Sequence, residues 1–175
     1  MSGHNKWSQI KHKKGAADAK KSKLFGLLAK SITIEAEKSG GDKNAPGLRR
    51  AIEKARVANM PNDNVERAIK NAAGAGGNLE EIIYEAYGPG GSALVIEALT
   101  DNKNRTAQEI KHLLDKNGAN LAAPGAALWA FQKTEAGWQA KAPTAIAATE
   151  KTQLDNLLVE LEEHDDVKNI FTNAA

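Results

Sequence analysis

The sequence predicts an α+β protein: a basic three-helix N-terminal domain, then a ferredoxin-like β-α-β-β-α-β domain with an extra N-terminal hairpin strand. Three observations carry this expectation. Charge is unevenly divided, the glycine-rich stretch Gly74-Ala75-Gly76-Gly77 marks a boundary, and the apolar residues recur with helical spacing before it but alternate between strand and helix patterns after it. Residues 1–77 hold sixteen Lys and Arg against seven Asp and Glu, and residues 78–175 hold eight against fifteen, so the formal net charge of +2 is the small difference between a basic half and an acidic one. The expected domains are therefore 1–77, with a hinge at 74–77, and 78–175.

Each element follows from its own pattern. Residues 1–15 form a basic arm with little apolar content beyond Trp7 and Ile10. From 16 to 38, Leu24, Leu27, Leu28, Ile32 and Ile34 fall on one broad side of a helix that stops at Ser39-Gly40-Gly41-Asp42. Asn44 is the expected N-cap of a second helix, with Pro46 in its first turn and Leu48, Ala51, Ile52, Ala55 and Ala58 inward. Met60-Pro61 ends it, and Asp63 with Glu66 three residues on resembles a capping box for a third helix that buries Val65, Ala68, Ile69 and Ala72. Beyond the glycines, 82–87 and 93–99 read as strands joined by the turn Gly88-Pro89-Gly90-Gly91. A helix over 104–116 buries Ile110, Leu113 and Leu114 and stops at Asn117-Gly118. Residues 126–132, with Trp129 and Phe131, read as a strand, and 144–148 as a weaker one. Leu154, Leu157, Leu158 and Leu161 mark the last helix, and 167–172 the last strand.

Composition narrows the function. Hydrophobic residues at 41% and charged residues at 26% are ordinary for a globular chain of 175 residues, and the absence of cysteine excludes disulfides, Cys-ligated zinc, iron–sulfur clusters and thiol catalysis. No stretch approaches the roughly 20 apolar residues of a membrane-spanning helix. The N-terminus lacks the apolar core of a secretory signal, and the first arginine is Arg49, unlike an Arg-rich transit peptide. A cytoplasmic protein without a membrane partner is expected.

The chemistry-bearing residues point to polyanions. Lys6, Lys11, Lys13, Lys14, Lys20, Lys21 and Lys23 face a single acid, Asp18, with Trp7 and His12 among them. Such crowding raises self-repulsion, which a phosphate backbone relieves as it releases counterions. Trp7 either stacks on a base or anchors the arm to the helices. Arg50 and Lys54 are like charges four apart on the second helix, Arg49 and Arg56 add a neighbouring row that Glu53 partly neutralises, and Arg67 extends the surface onto the third helix. These cations position a nucleic acid whether or not any of them reads a base. Gly88-Pro89-Gly90-Gly91 is a turn rather than a phosphate loop, since no Lys-Ser/Thr follows it. Glu109 and His112 form only half of a Glu-x-x-His pair of sites, and His164-Asp165-Asp166 resembles a metal cluster in composition alone, so no metal, cofactor or small-molecule substrate is expected. No arrangement of catalytic residues is present, and no enzymatic activity is expected.

Several blocks carry a resemblance beyond charge. Gly3-His4-Asn5-Lys6-Trp7, Ile10-Lys11-His12-Lys13-Lys14 and Lys20-Lys21-Ser22-Lys23-Leu24-Phe25 resemble the opening signature of the YebC/PmpR family. Asn59-Met60-Pro61 with Val65-Glu66-Arg67-Ala68-Ile69, Tyr84-Glu85-Ala86-Tyr87-Gly88-Pro89-Gly90-Gly91, Leu99-Thr100-Asp101-Asn102-Lys103-Asn104-Arg105-Thr106 and the closing His164-Asp165-Asp166-Val167-Lys168-Asn169-Ile170 agree as well. The family comprises probable transcriptional regulatory proteins and includes the mitochondrial translational activator of cytochrome c oxidase I. The resemblance implies a helical basic first domain, a ferredoxin-like second domain and a role in gene expression. That role is either DNA-binding transcriptional regulation or, as a ribosome-associated factor binding ribosomal RNA, translational activation or relief of stalling. Family members carry a third domain inserted within the second. Here the corresponding interval, 132–142, reads as a short linker containing Trp138, so this chain is expected to be a short form without the insert. A protein-interaction module with a merely solubilising basic arm is the remaining class.

Overall fold

Small residues and one aliphatic stripe per helix build the N-terminal half. The computed structural model describes residues 17–74 and 78–175. Helix α1 spans Ala17–Ser39, α2 Pro46–Val57 and α3 Asn62–Ala73. Their shared core is Ile32 and Ala36 from α1, Leu48, Ala51, Ile52 and Ala55 from α2, Met60, and Val65 and Ala68 from α3. Alanine at so many inward positions lets the axes approach closely, and the Thr33 hydroxyl donates to the Ala68 carbonyl at 3.0 Å across α1 and α3.

The helix ends differ in part from expectation. Ala45, not Asn44, is the N-cap of α2, because Pro46 occupies the first helical position and fixes the residue before it as extended. Pro61 caps α3 in place of the Asp63–Glu66 box, since the Glu66 carboxylate turns to Lys43 Nζ, 2.7 Å away. Between the two helices Asn59 takes φ +60°, its N–H donates to Arg56, and Met60 N–H donates to Ala55. This is a Schellman closure with asparagine in the left-handed position, and it folds Met60 back into the core.

The second half is a four-stranded sheet with helices on one face and a hairpin on the other. Strands β1 (Glu80–Tyr87), β2 (Ala93–Thr100), β3 (Asn120–Ala122) and β6 (Val167–Thr172) order as β3-β1-β2-β6, while β4 (Phe131–Thr134) and β5 (Gly137–Ala140) pair with each other. Helices α4 (Lys103–Lys116) and α5 (Ala148–Glu163) bury Ile110, Leu114, Leu154, Leu157, Leu158 and Leu161 against Leu94, Ile96 and Ile170. The intervening strand positions Ala93, Val95 and Phe171 point to the opposite face, where Ala127, Ala130 and Phe131 meet them. The α+β class with two helices on one sheet face is as expected.

Three elements differ in detail. Residues 126–132 are a 3₁₀ turn (Leu128–Ala130) leading into β4, and the strand after α4 is the short β3, which lines the sheet edge beside β1. Thr144 contributes a single bridge, to Ala174, instead of a strand over 144–148. The interval 132–142 is no linker: Phe131 pairs with Ala140 and Thr134 with Gly137. Gly137, at φ +118°, lies so close to the Phe171 ring that a Cβ would stand 2.7 Å from it, so the hairpin seats on the sheet only with glycine at its turn.

By contacts among the described residues, the chain divides into two compact units. One holds residues 17–74, 78–80 and Leu99–Asn102, and the other Glu81–Ala98 and Lys103–Ala175. The expected hinge at 74–77 falls largely on 75–77, outside the described residues.

Candidate nucleic-acid interface

The cationic residues of α2 share one side because its apolar residues claim the other. At 100° per residue, buried Leu48, Ala51, Ile52 and Ala55 occupy one arc, and exposed Arg49, Arg50, Glu53, Lys54, Arg56 and Val57 spread over about 160° of the opposite one. Four cations therefore meet solvent with one carboxylate among them. That carboxylate lies nearer Arg56, at 3.9 Å, than the Arg49 expected from sequence. The Arg50 guanidinium Nε donates to the Pro46 carbonyl at 3.3 Å, which holds its stem along the helix and its remaining N–H groups outward. Val57, between Arg50 and Glu53 on the wheel, is 77% exposed; it was not singled out from sequence, although an apolar residue in phase with a charged face is visible there.

The other anticipated contacts are distributed. Lys20 and Lys21 are exposed on α1 and Lys23 is half-buried there, with Lys21 Nζ 5.6 Å from the Phe25 ring centroid. Arg67 is exposed on α3. Lys6, Trp7, Lys11, His12, Lys13 and Lys14 lie outside the described residues. Lys43 and Lys38 are drawn into pairs with Glu66 and Glu35.

The second unit spends its charges differently. The Glu85 side chain, in a residue only 4% exposed, accepts backbone N–H bonds from Gly125, Ala127 and Leu128. Burial alone would raise its pKa, but those three donors outweigh it and hold the carboxyl below the usual range. Glu97 is similar: burial is overcome by the Asn169 amide and the Lys133 and Lys168 ammoniums, and its pKa is lowered. It also accepts the Trp138 indole N–H at 3.1 Å, which ties the hairpin to β2.

Glu109 from the first metal motif weighed from sequence meets His164 and Asp166 from the second, while His112 and Asp165 stand outside the group. Glu109, His164 and Asp166 place their ligand atoms within 4.8 Å of one another. Those atoms already have partners. His164 Nδ1 accepts the Asp166 N–H, Nε2 lies 2.8 Å from Glu109, and Asp166 accepts from Arg105 Nη2 and the Thr106 hydroxyl. With the imidazole nitrogens, Asp166 and Glu109 so engaged, the cluster reads as a clamp between α4 and the start of β6. The turn at Pro89–Gly91 is likewise no anion cradle, because a Cβ at Gly90 would stand 2.7 Å from a Glu150 carboxylate oxygen.

Comparison with known proteins agrees along the chain. Residues 5–75 match the family described as TACO1/YebC protein N-terminal domain, and residues 79–136 the one described as TACO1/YebC second and third domain. A probable transcriptional regulatory protein of Thermoanaerobacter pseudethanolicus is 55% identical over 136 residues, covering 76% of this chain and 55% of the relative. A protein of the same description from Petrotoga mobilis is 46% identical over 183 residues, covering 98% of this chain and 70% of the relative. The chain spans about half the length of curated relatives such as the first. The crystal structure of a conserved hypothetical protein from Aquifex aeolicus aligns with a TM-score of 0.86 at 31% identity, covering 97% of this chain and 96% of that one.

Proposed function

The chain belongs to the TACO1/YebC family, and from that premise we propose that it is a non-enzymatic, nucleic-acid-binding regulator of gene expression, acting in the cytoplasm as a DNA-binding transcriptional regulator. The observation that carries the proposal is the solvent face of α2, where Arg49, Arg50, Lys54 and Arg56 stand against the single carboxylate of Glu53. A fold gains nothing from that crowding; a phosphodiester backbone does, through ion pairing and counterion release. Lys20, Lys21, Lys23 and Arg67 extend the cationic surface. Lys6, Lys11, Lys13 and Lys14 of the arm supply further phosphate contacts, with His12 beside them and Trp7 as stacking or anchoring residue. The regulatory descriptions borne by the relatives support the transcriptional reading.

One observation favours a second reading, ribosomal RNA bound as part of the ribosome. The exposed face of α2 presents no Asn or Gln, the side chains that read adenine edges in a major groove, so base reading there is limited to arginine on guanine and the face suits backbone positioning more than a varied base code. Neither reading places an inserted domain at 132–142, where β4 and β5 leave room only for a tight turn. The test compares the full chain with a variant combining Arg49→Glu, Arg50→Glu and Lys54→Glu, measuring binding to duplex DNA and cosedimentation with ribosomes across salt. Wild-type binding that falls steeply with salt, and a variant whose salt slope on duplex is shallower by about 3, would support phosphate recognition by α2. Equal binding by the two proteins would sink it. Retention on ribosomes at salt that abolishes duplex binding would favour the ribosomal reading.

A further inference from the structure

We propose that Trp129 is a stacking plate for an unpaired nucleobase, which gives the second unit a nucleic-acid contact of its own beyond the α2 face. Trp129 is 55% exposed although Phe131 and Leu128 beside it pack inward. Its ring is also held in place. The indole Nε1–H donates to the Tyr87 hydroxyl at 2.9 Å, and that hydroxyl donates to the Ala126 carbonyl. Glu85, two residues before Tyr87 on β1, binds the N–H groups of Gly125, Ala127 and Leu128. Two side chains of one strand thus fix the loop that presents the tryptophan. In a chain with only eight aromatic residues, a ring fixed by hydrogen bonds and turned to solvent is set up to bind, because little side-chain freedom remains to be lost.

Charge selects the partner. Residues 117–147 contain Lys133 and Lys141 against Glu135 alone, whereas the rest of 78–175 has six cations against fourteen anions. Lys133 is paired with Glu97 at 3.1 Å, which leaves exposed Lys141 as the cation this stretch offers to a ligand in a unit that is otherwise acidic. Lys141 is Trp129's neighbour in the backbone: its N–H donates at 2.9 Å to the carbonyl of Ala130, the residue after Trp129. A flat aromatic surface beside a lysine suits a base and its phosphate on a single strand. A duplex keeps its base faces stacked inside and offers them only at its ends.

The full-length protein and its Trp129→Ala, Trp129→Phe and Tyr87→Phe variants are titrated by anisotropy. The probes are labelled oligothymidylate and oligouridylate of about 12 nucleotides, together with a DNA duplex whose ends are closed by non-nucleotide linkers. Trp129→Ala is expected to bind both single strands about tenfold more weakly, the size of one lost base–aromatic stack, with duplex affinity unchanged. Trp129→Phe should keep most of the affinity, and Tyr87→Phe should fall between. The ratio of the oligouridylate to the oligothymidylate effect separates RNA from DNA as the source of the base. Unchanged single-strand affinity in Trp129→Ala would overturn the proposal and leave the ring as an anchor for a protein partner, and equal loss on duplex would overturn stacking as the cause. Duplex affinity of the wild type tests the α2 reading separately, so the two can fail independently.

Discussion

The helical unit keeps its densest charge outside and the mixed unit turns its own inward. On α2 the four cations stand above a core of alanine and aliphatic side chains that makes no demand on them. In the mixed unit Glu85, Glu97 and Asp166 each join segments distant in sequence: β1 to the 125–128 loop, β2 to the hairpin, and α4 to the start of β6. Ionic residues thus serve display in one region and architecture in the other. Substitutions on α2 should alter binding with little change in folding, and substitutions at the three carboxylates should do the reverse.

Glu85→Ala puts the most strain on that contrast. It removes a charged acceptor from three backbone N–H groups, two of them on the residues just before Trp129, and leaves donors without a partner inside the protein. A loss of about 3–4 kcal/mol in unfolding free energy is expected, read by urea denaturation. A loss below about 1 kcal/mol would mean that the loop finds its place without the clamp. The same carboxylate sets an acid limit. Its folded pKa lies below the ordinary 4.5, so its contribution is fully present above that value and is lost as the pH falls through the folded pKa. Glu97 titrates in the same sense. A pH series from 7 to 3 followed by near-ultraviolet circular dichroism should show the signal of Trp129 and Trp138 fading below pH 4.5. Glu85→Gln should flatten that dependence.

Asp166→Ala is expected to cost somewhat less, about 2–3 kcal/mol. Thr106 is buried and loses its acceptor, whereas the Arg105 guanidinium, 43% exposed, can turn to water or towards Glu109. Thermal unfolding of Asp166→Ala beside Asp166→Asn checks this. The asparagine variant keeps an acceptor for the threonine hydroxyl and should recover part of the loss.

What could be read from sequence follows the same division. Periodicity located α2 and its buried residues Leu48, Ala51, Ile52 and Ala55, and the Arg50–Lys54 spacing marked its outer face, because both are local properties of a helix. The resemblance located the block Tyr84–Gly91 but assigned no work to Glu85 or Tyr87. Their partners lie some 40 positions away, and no spacing rule reaches that far. Leu128-Trp129-Ala130-Phe131 reads as a strand because it is an apolar run, and Pro124-Gly125 just before it is the local hint of a turn. The capping box failed for a similar reason, since Lys43, from the loop before α2, claimed the Glu66 carboxylate.

The turn between α2 and α3 offers a smaller effect that is purely conformational. Asn59 sits at φ +60°, where a residue with a Cβ is strained and asparagine is tolerated better than most. Asn59→Ala should cost about 1 kcal/mol and Asn59→Gly should be neutral or slightly stabilising, both by urea denaturation. Neither should change duplex affinity per folded molecule, because the turn carries no cation.

The smallest expected change in stability separates the two uses of charge most clearly. Lys54 follows Arg50 by four residues on the exposed face of α2, so the pair repels, weakly, in the folded protein. Lys54→Glu turns the repulsion into an i, i+4 attraction but puts an acid in the last turn of α2, where the helix dipole favours a cation, so the unfolding free energy should change by less than about 0.5 kcal/mol. The same exchange places a carboxylate where the proposal puts a phosphate. Duplex affinity should therefore fall while stability holds, and the slope of log K against log salt should become shallower by about 1. A variant that gained both stability and affinity would mean that this face meets something other than phosphate. One that lost affinity together with more than about 1 kcal/mol of stability would mean that Lys54 supports the fold through more than the helix dipole.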